Sequence, residues 1–140
     1  MSRSILPGFK FDIYVEPLYN RSQTGAIQED DMNNAKFRYD HIGIPTTKPM
    51  EGEVYLPGYK LYHFGYESSE FGIEWMRYEP DCTLPELVKT VPHVAFEVDD
   101  IREALKGRKV IIEPNSPSEG VTVAFVEEDG APIELIERKC

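Results

Sequence analysis

The sequence His, then a strand carrying Ile-Glu, occurs twice in this chain. The first copy opens on Arg38-Tyr39-Asp40-His41-Ile42-Gly43-Ile44 and closes on Phe71-Gly72-Ile73-Glu74-Trp75-Met76. The second opens on Thr90-Val91-Pro92-His93-Val94-Ala95-Phe96-Glu97-Val98 and closes on Ala131-Pro132-Ile133-Glu134-Leu135-Ile136. An internal repeat outranks other signals, because missing it misreads the whole fold. Both His segments are rich in β-branched and aromatic residues and read as short strands.

The text between these anchors reads as further strands. Glu53-Val54-Tyr55-Leu56 is a short strand closed by a Pro57-Gly58 turn, and 59–66 is a longer one. Residues 71–78 form the first Ile-Glu strand. Pro45, Pro49 and Gly52 rule out a long helix after the first His strand. Leu84 to Val88 can hold one helical turn. In the second half, 92–98 is a strand and 99–107 is the clearest helix. There Asp99 can cap, Ile101, Ala104 and Leu105 line one face, and Gly107 can terminate. Lys109 to Ile112 is a strand, 114–120 a loop and 121–126 a strand. Glu128-Asp129-Gly130 is a hairpin turn, and 132–137 is the last strand. The spacings agree with one missing helix. His41 to Glu74 spans 33 residues and His93 to Glu134 spans 41. The fold class is therefore α+β, with two βαβββ-type modules of which the first lacks its helix. Domain limits follow: an N-terminal extension over 1–37, a first module over 38–80, a connector over 81–91 and a second module over 92–138. In the extension, Phe9 to Val15 alternates as a strand, and 27–36 reads as a short helix with an acidic first turn.

Composition excludes more than it selects. The 140 residues suit one domain, or two half-domains sharing a core. A net charge of -10 argues against a nucleic-acid partner, which needs clustered Lys and Arg. No apolar run approaches the roughly 20 residues that span a bilayer, and no signal-peptide core is present. A cytoplasmic protein without membrane attachment is expected. Cys82 and Cys140 form no Cys-x-x-Cys pattern. Cys82 reads as a buried or half-buried thiol, Cys140 as a terminal one.

The paired modules resemble the vicinal-oxygen-chelate superfamily, also called the glyoxalase, bleomycin-resistance and dioxygenase superfamily. The resemblance covers about residues 38–138. It is carried by Tyr39-Asp40-His41-Ile42-Gly43-Ile44, Gly72-Ile73-Glu74-Trp75, Pro92 to Asp100, and Asp129-Gly130-Ala131-Pro132-Ile133-Glu134-Leu135-Ile136. It implies that the two sheets curve into a half-barrel cup holding one metal ion. It also implies two ligand positions per module, filled here by His41, Glu74, His93 and Glu134. Taken singly, such residues are usually structural or solvated. Four at matched places in a repeat point to metal. The mixed nitrogen and oxygen donors suit one divalent ion, whether Zn, Ni, Co, Mn or Fe.

Four protein ligands leave places for a substrate with two adjacent oxygens, and a Lewis-acidic ion there stabilises an enolate. Resemblance to glyoxalase I and the methylmalonyl-CoA epimerases makes Glu134 or Glu74 the general base. Three functions follow. The first is a metal-dependent isomerase, epimerase or lyase. The second is a non-haem iron dioxygenase using His41, His93 and Glu134. The third is a module that binds or sequesters a small molecule without turnover. Period-two alternation places Ala95 and Glu97 beside His93, and Met76 and Tyr78 beside Glu74. Glu97 can then orient a histidine, and His63 can point into the cup; an exposed Glu and a strand filler are the plainer readings of these two. Trp75, Tyr55, Tyr59, Tyr62 and Phe64 read as core. No Arg or Lys cluster on these strands marks a CoA or thiol-conjugate site. Exposed sheet edges favour a homodimer. The extension is expected to wrap a neighbour or take the missing helix's place.

Overall fold

The computed structural model describes residues 36–139. The strand expected over 9–15 and the helix over 27–36 fall outside them, Lys36 apart, as does Cys140. The described chain is α+β: one eight-stranded, curled half-barrel sheet with two short helices. The strands are β1 (Arg38–Pro45), β2 (Val54–Leu56), β3 (Leu61–Phe64), β4 (Ile73–Tyr78), β5 (His93–Glu97), β6 (Lys109–Ser118), β7 (Val121–Glu128) and β8 (Ala131–Arg138). The helices are α1 (Glu86–Thr90) and α2 (Ile101–Leu105). No helix among the described residues is long and apolar enough to cross a membrane.

The sheet order is β2-β3-β4-β1-β5-β8-β7-β6. Read outward from the β1–β5 junction, both halves run first, fourth, third, second strand. The first strand of each half pairs parallel with its fourth, at matched register. Gly43 lies opposite Glu74, and Ala95 opposite Glu134. Across the junction β1 and β5 are antiparallel, with His41 opposite Ala95 and Gly43 opposite His93. Each histidine thus sits across from the small residue that lies two places after the other histidine. The repeat seen in sequence is a pseudo-twofold in the sheet.

The main apolar core lies between α2 and the back of the second half. Val98, Ile101, Ala104, Ala124, Val126 and Leu135 are buried there. The first half has no helix between β1 and β2, where residues 46–53 run as bends, a turn and irregular chain.

Three local expectations change. The cap of α2 is Asp100, not Asp99: its Oδ1 accepts from the backbone N–H of Arg102 at 2.9 Å and of Glu103 at 3.1 Å. Asp99 instead pairs with Arg38. The single helical turn of the connector spans Glu86–Thr90, because Pro85 presets its entry. The loop expected from Pro114 is the continuation of β6 to Ser118, with register shifts between Ile112, Asn115 and Ser118. Prolines break a central ladder, but β6 is an edge strand, and two of its three register shifts span Pro114 and Pro117. The expected hairpin turn is present, with Asp129 and Gly130 both at positive φ, as a tight β-turn of that hand requires.

Candidate metal centre

Side-chain alternation brings His41, Glu74, His93 and Glu134 to the concave face. Glu134 Oε2 lies 3.2 Å from His41 Nε2 and 3.1 Å from His93 Nε2. Glu74 Oε2 lies 3.2 Å from the same His41 Nε2. His41, His93 and Glu134 form a trio whose donor atoms all fall within 4.8 Å of one another, which can hold a metal ion. Ligands bound at about 2.0–2.2 Å stand about 2.8–3.1 Å apart at right angles and about 3.3–3.6 Å apart at tetrahedral angles. The measured separations fall between these limits, so the residues fit a divalent ion.

Burial opposes charge on His41, but Glu134, Asp40 and Glu74 outweigh it and push its pKa up to about 9. Burial likewise opposes charge on Glu134, yet its hydrogen bonds to His41 and His93 hold it below the usual carboxylate range. Glu74 goes the other way. Burial raises it, against the opposing pull of His41 and His63. The two carboxylates therefore differ: Glu134 is fixed between two imidazoles and shifted down, while Glu74 touches one imidazole of the trio and is shifted up by burial.

Neighbours not anticipated from sequence orient the first histidine. His41 Nδ1 is 2.7 Å from Asp40 Oδ1. Strict alternation would turn Asp40 away from its neighbour. A β-bulge between Tyr39 and His41 leaves Asp40 without a cross-strand partner and re-aims it. Arg138, at the end of β8, donates to Asp40 Oδ2 at 2.9 Å and to Glu97 Oε2 at 2.6 Å. The Tyr66 hydroxyl donates to Asp40 at 3.1 Å, and its ring meets the His41 ring edge-on. Against burial, the bonds to His41 and Arg138 keep Asp40 below its usual range. Because a carboxylate only accepts, the bond fixes a proton on Nδ1 and turns Nε2 into the cup, where it is the nitrogen that would hold a metal. An Asp40→Ala protein is expected to bind divalent metal about 10- to 100-fold more weakly. Chelator competition reads this directly, and unchanged affinity would remove Asp40 from the centre.

His93 is held by shape instead. It is 1% exposed, and its Nδ1 has no hydrogen-bond partner among the described residues. Pro92 stands where the first half has Asp40 and offers no acceptor side chain. The ring lies over the bare backbone of Gly43 and edge-on to Phe125, 5.0 Å between centroids.

The remaining sequence candidates are placed as follows. His63 Nδ1 lies 2.8 Å from Glu74 Oε1, so His63 reaches the centre through Glu74. Met76 and Tyr78 line the cup with Glu74. Glu97 is drawn to Arg38 and Arg138, outside the donor group. Tyr59 lines the cup, where its hydroxyl donates to Asn115 Oδ1 at 2.5 Å, bridging the two halves. Tyr55 is an exposed edge residue, 39% accessible. Cys82 is buried with a free thiol. The cavity beside the donors holds about 190 Å3, with walls that include Leu56, Leu61, Ile112, Val123 and Phe125.

No protein-family profile matches the sequence, and no curated protein matches it by sequence. Solved structures do match. A hypothetical protein from Bacillus halodurans C-125 superposes with a TM-score of 0.58 at 23% identity, over 74% of this chain and 96% of that one. Methylmalonyl-CoA epimerase from Mycobacterium tuberculosis superposes with a TM-score of 0.52 at 16% identity, over 74% of this chain and 89% of that one. At these identities the likeness is one of fold alone.

Proposed function

We propose that this chain is a metal-dependent enzyme of the glyoxalase type: an isomerase, epimerase or lyase acting on a small substrate with two adjacent oxygens. In this reading His41, Glu74, His93 and Glu134 hold one divalent transition metal, two donors from each of the modules 38–80 and 92–138. The observation that carries it is the convergence of those donors, at 3.1–3.2 Å, from matched registers of two half-sheets. The epimerase among the structural neighbours agrees with it at the level of fold. A divalent ion here would supply Lewis acidity, polarising a substrate carbonyl.

The chain's own groups divide the remaining work. Glu134 stays fixed between the two histidines. Glu74 moves the proton: its carboxylate takes it from the carbon beside the carbonyl and returns it, on the same face, to the neighbouring carbon. Burial suits Glu74 to accept a proton, and His63 holds its second oxygen in place. The apolar walls exclude water from the reacting carbon. A homodimer belongs to the same proposal, supported by the exposed Val54 and Tyr55 on edge strand β2.

A second reading has one observation of its own. The tight trio is two histidines and one carboxylate, the donor set of non-haem iron oxygenases. Glu74 beside His41 occupies space that such a centre keeps open, which favours the first reading.

Metal content of the purified chain tests both. About one equivalent of zinc, nickel, cobalt or manganese, with proton exchange into a hydroxyketone substrate followed by NMR, is the expected result. Iron with oxygen uptake would transfer the chain to the second reading. No metal, even after reconstitution, would remove both.

A further inference from the structure

We infer that the cup selects an uncharged substrate, with an apolar tail beside its chelating oxygens, and rejects carboxylate-bearing ones. The inference rests on the proposed metal centre and adds the substrate class.

Charge carries the first part of the argument. Among the described residues, no Lys or Arg lines the cavity. Cations on the neighbouring strands are committed elsewhere. Arg77, on β4, alternates to the outer face, where it pairs with Glu53 and stacks on Tyr62. Arg138 pairs with Asp40 and Glu97, and Lys60 with Asp81. A divalent ion on two carboxylates and two neutral imidazoles has no positive charge left over. A further carboxylate on the substrate would lie among Leu61, Met76, Ile112 and Phe125 without a counter-ion, an arrangement proteins avoid.

Polarity and size carry the rest. Tyr59 and Asn115 satisfy each other across the cup. Tyr78 lines the same cavity, and its hydroxyl makes no hydrogen bond to any described residue. Burial pushes its pKa up, so it stays a neutral donor. One free donor suits one neutral oxygen. The cavity of about 190 Å3 beside the donors gives room for a short apolar tail.

Two hydroxamates with the same chelating head and near-isosteric tails separate the possibilities. 4-Methylpentanohydroxamate ends in an isopropyl group, and succinate monohydroxamate ends in a carboxylate. Calorimetric titration of the full chain, metal-loaded and with metal content measured on the same sample, is expected to show at least tenfold tighter binding of the first. Met76→Lys is expected to close that gap or reverse it while keeping the metal. Ile112→Lys, on the edge strand, gives the same readout should Met76→Lys fail to fold. Equal or reversed preference in the metal-loaded wild type overturns this inference and leaves the metal reading standing. A chain that takes up no metal and binds neither hydroxamate overturns both.

Discussion

A Glu134→Ala protein is expected to lose more than about a hundredfold in metal affinity, since even groups one bond removed from a metal ligand cost 10- to 100-fold. Among the described residues, Glu134 is the only carboxylate within 3.2 Å of both imidazoles of the trio. Removing it deletes a donor and one of the two carboxylates that would face an ion. The metal-free protein adds a pH signature. His41 has a folded pKa of about 9 against an ordinary value of 6.5, so its charged contacts stabilise fully below pH 6.5 and fade as pH rises through 9. Glu134 is shifted downward from an ordinary 4.5, so its contribution is present above 4.5 and fades as pH falls through its lowered folded value. With chelator present, the wild type should therefore exceed Glu134→Ala in melting temperature most clearly between about pH 4.5 and 6.5, and the gap should shrink towards pH 9. The loss stays below the about 3–5 kcal/mol of a stranded buried charge, because His41 can shed its proton. A variant that retained one equivalent of metal would end the assignment of Glu134.

Gly43→Ala is expected to be nearly as damaging, although Gly43 carries no chemistry. A Cβ at Gly43 would stand 2.0 Å from His93 Cε1 and 2.5 Å from Nε2. The ring cannot yield easily, since it is almost wholly buried and Phe125 packs edge-on against it. Overpacking of this kind costs about 1–3 kcal/mol. Here it also displaces a donor nitrogen by more than a metal bond tolerates. Expected results are a lower melting temperature and metal content well under one equivalent. The pseudo-symmetric site gives the control. Ala95 already carries a Cβ opposite His41 and is fully buried. Ala95→Gly should leave metal content near the wild-type value. Full metal occupancy in Gly43→Ala would show that His93 does not need its place over that backbone.

The two histidine strands differ in a way that the sequence hints at and only the fold explains. His-x-Gly and His-x-Ala look alike as text. The register sets them across from each other's histidines, and there the missing methyl of Gly43 becomes the space for a ring. His63 is a similar case. On its own it is an ordinary strand residue. Antiparallel pairing of β3 with β4 puts it opposite Met76, on the cup face, within reach of the diagonal neighbour Glu74.

What the sequence by itself determined is what local periodicity carries. Most strand identities, a helix within 99–107, the Asp129-Gly130 hairpin and the residues that share a face on β4 all follow from a period of two or 3.6 and from turn chemistry. The spacing difference between the halves located the missing helix. The tertiary structure alone decided the partners. Arg138 reaches Asp40 across 98 positions of chain, and Tyr59 reaches Asn115 across 56. Asp40 turns toward His41 only because a bulge breaks the alternation that sequence reading assumes. β6 runs through Pro114 and Pro117 only because it lies at an edge. Register and edge position are properties of the assembled sheet. They depend on which strands meet, and no window of neighbouring residues encodes that.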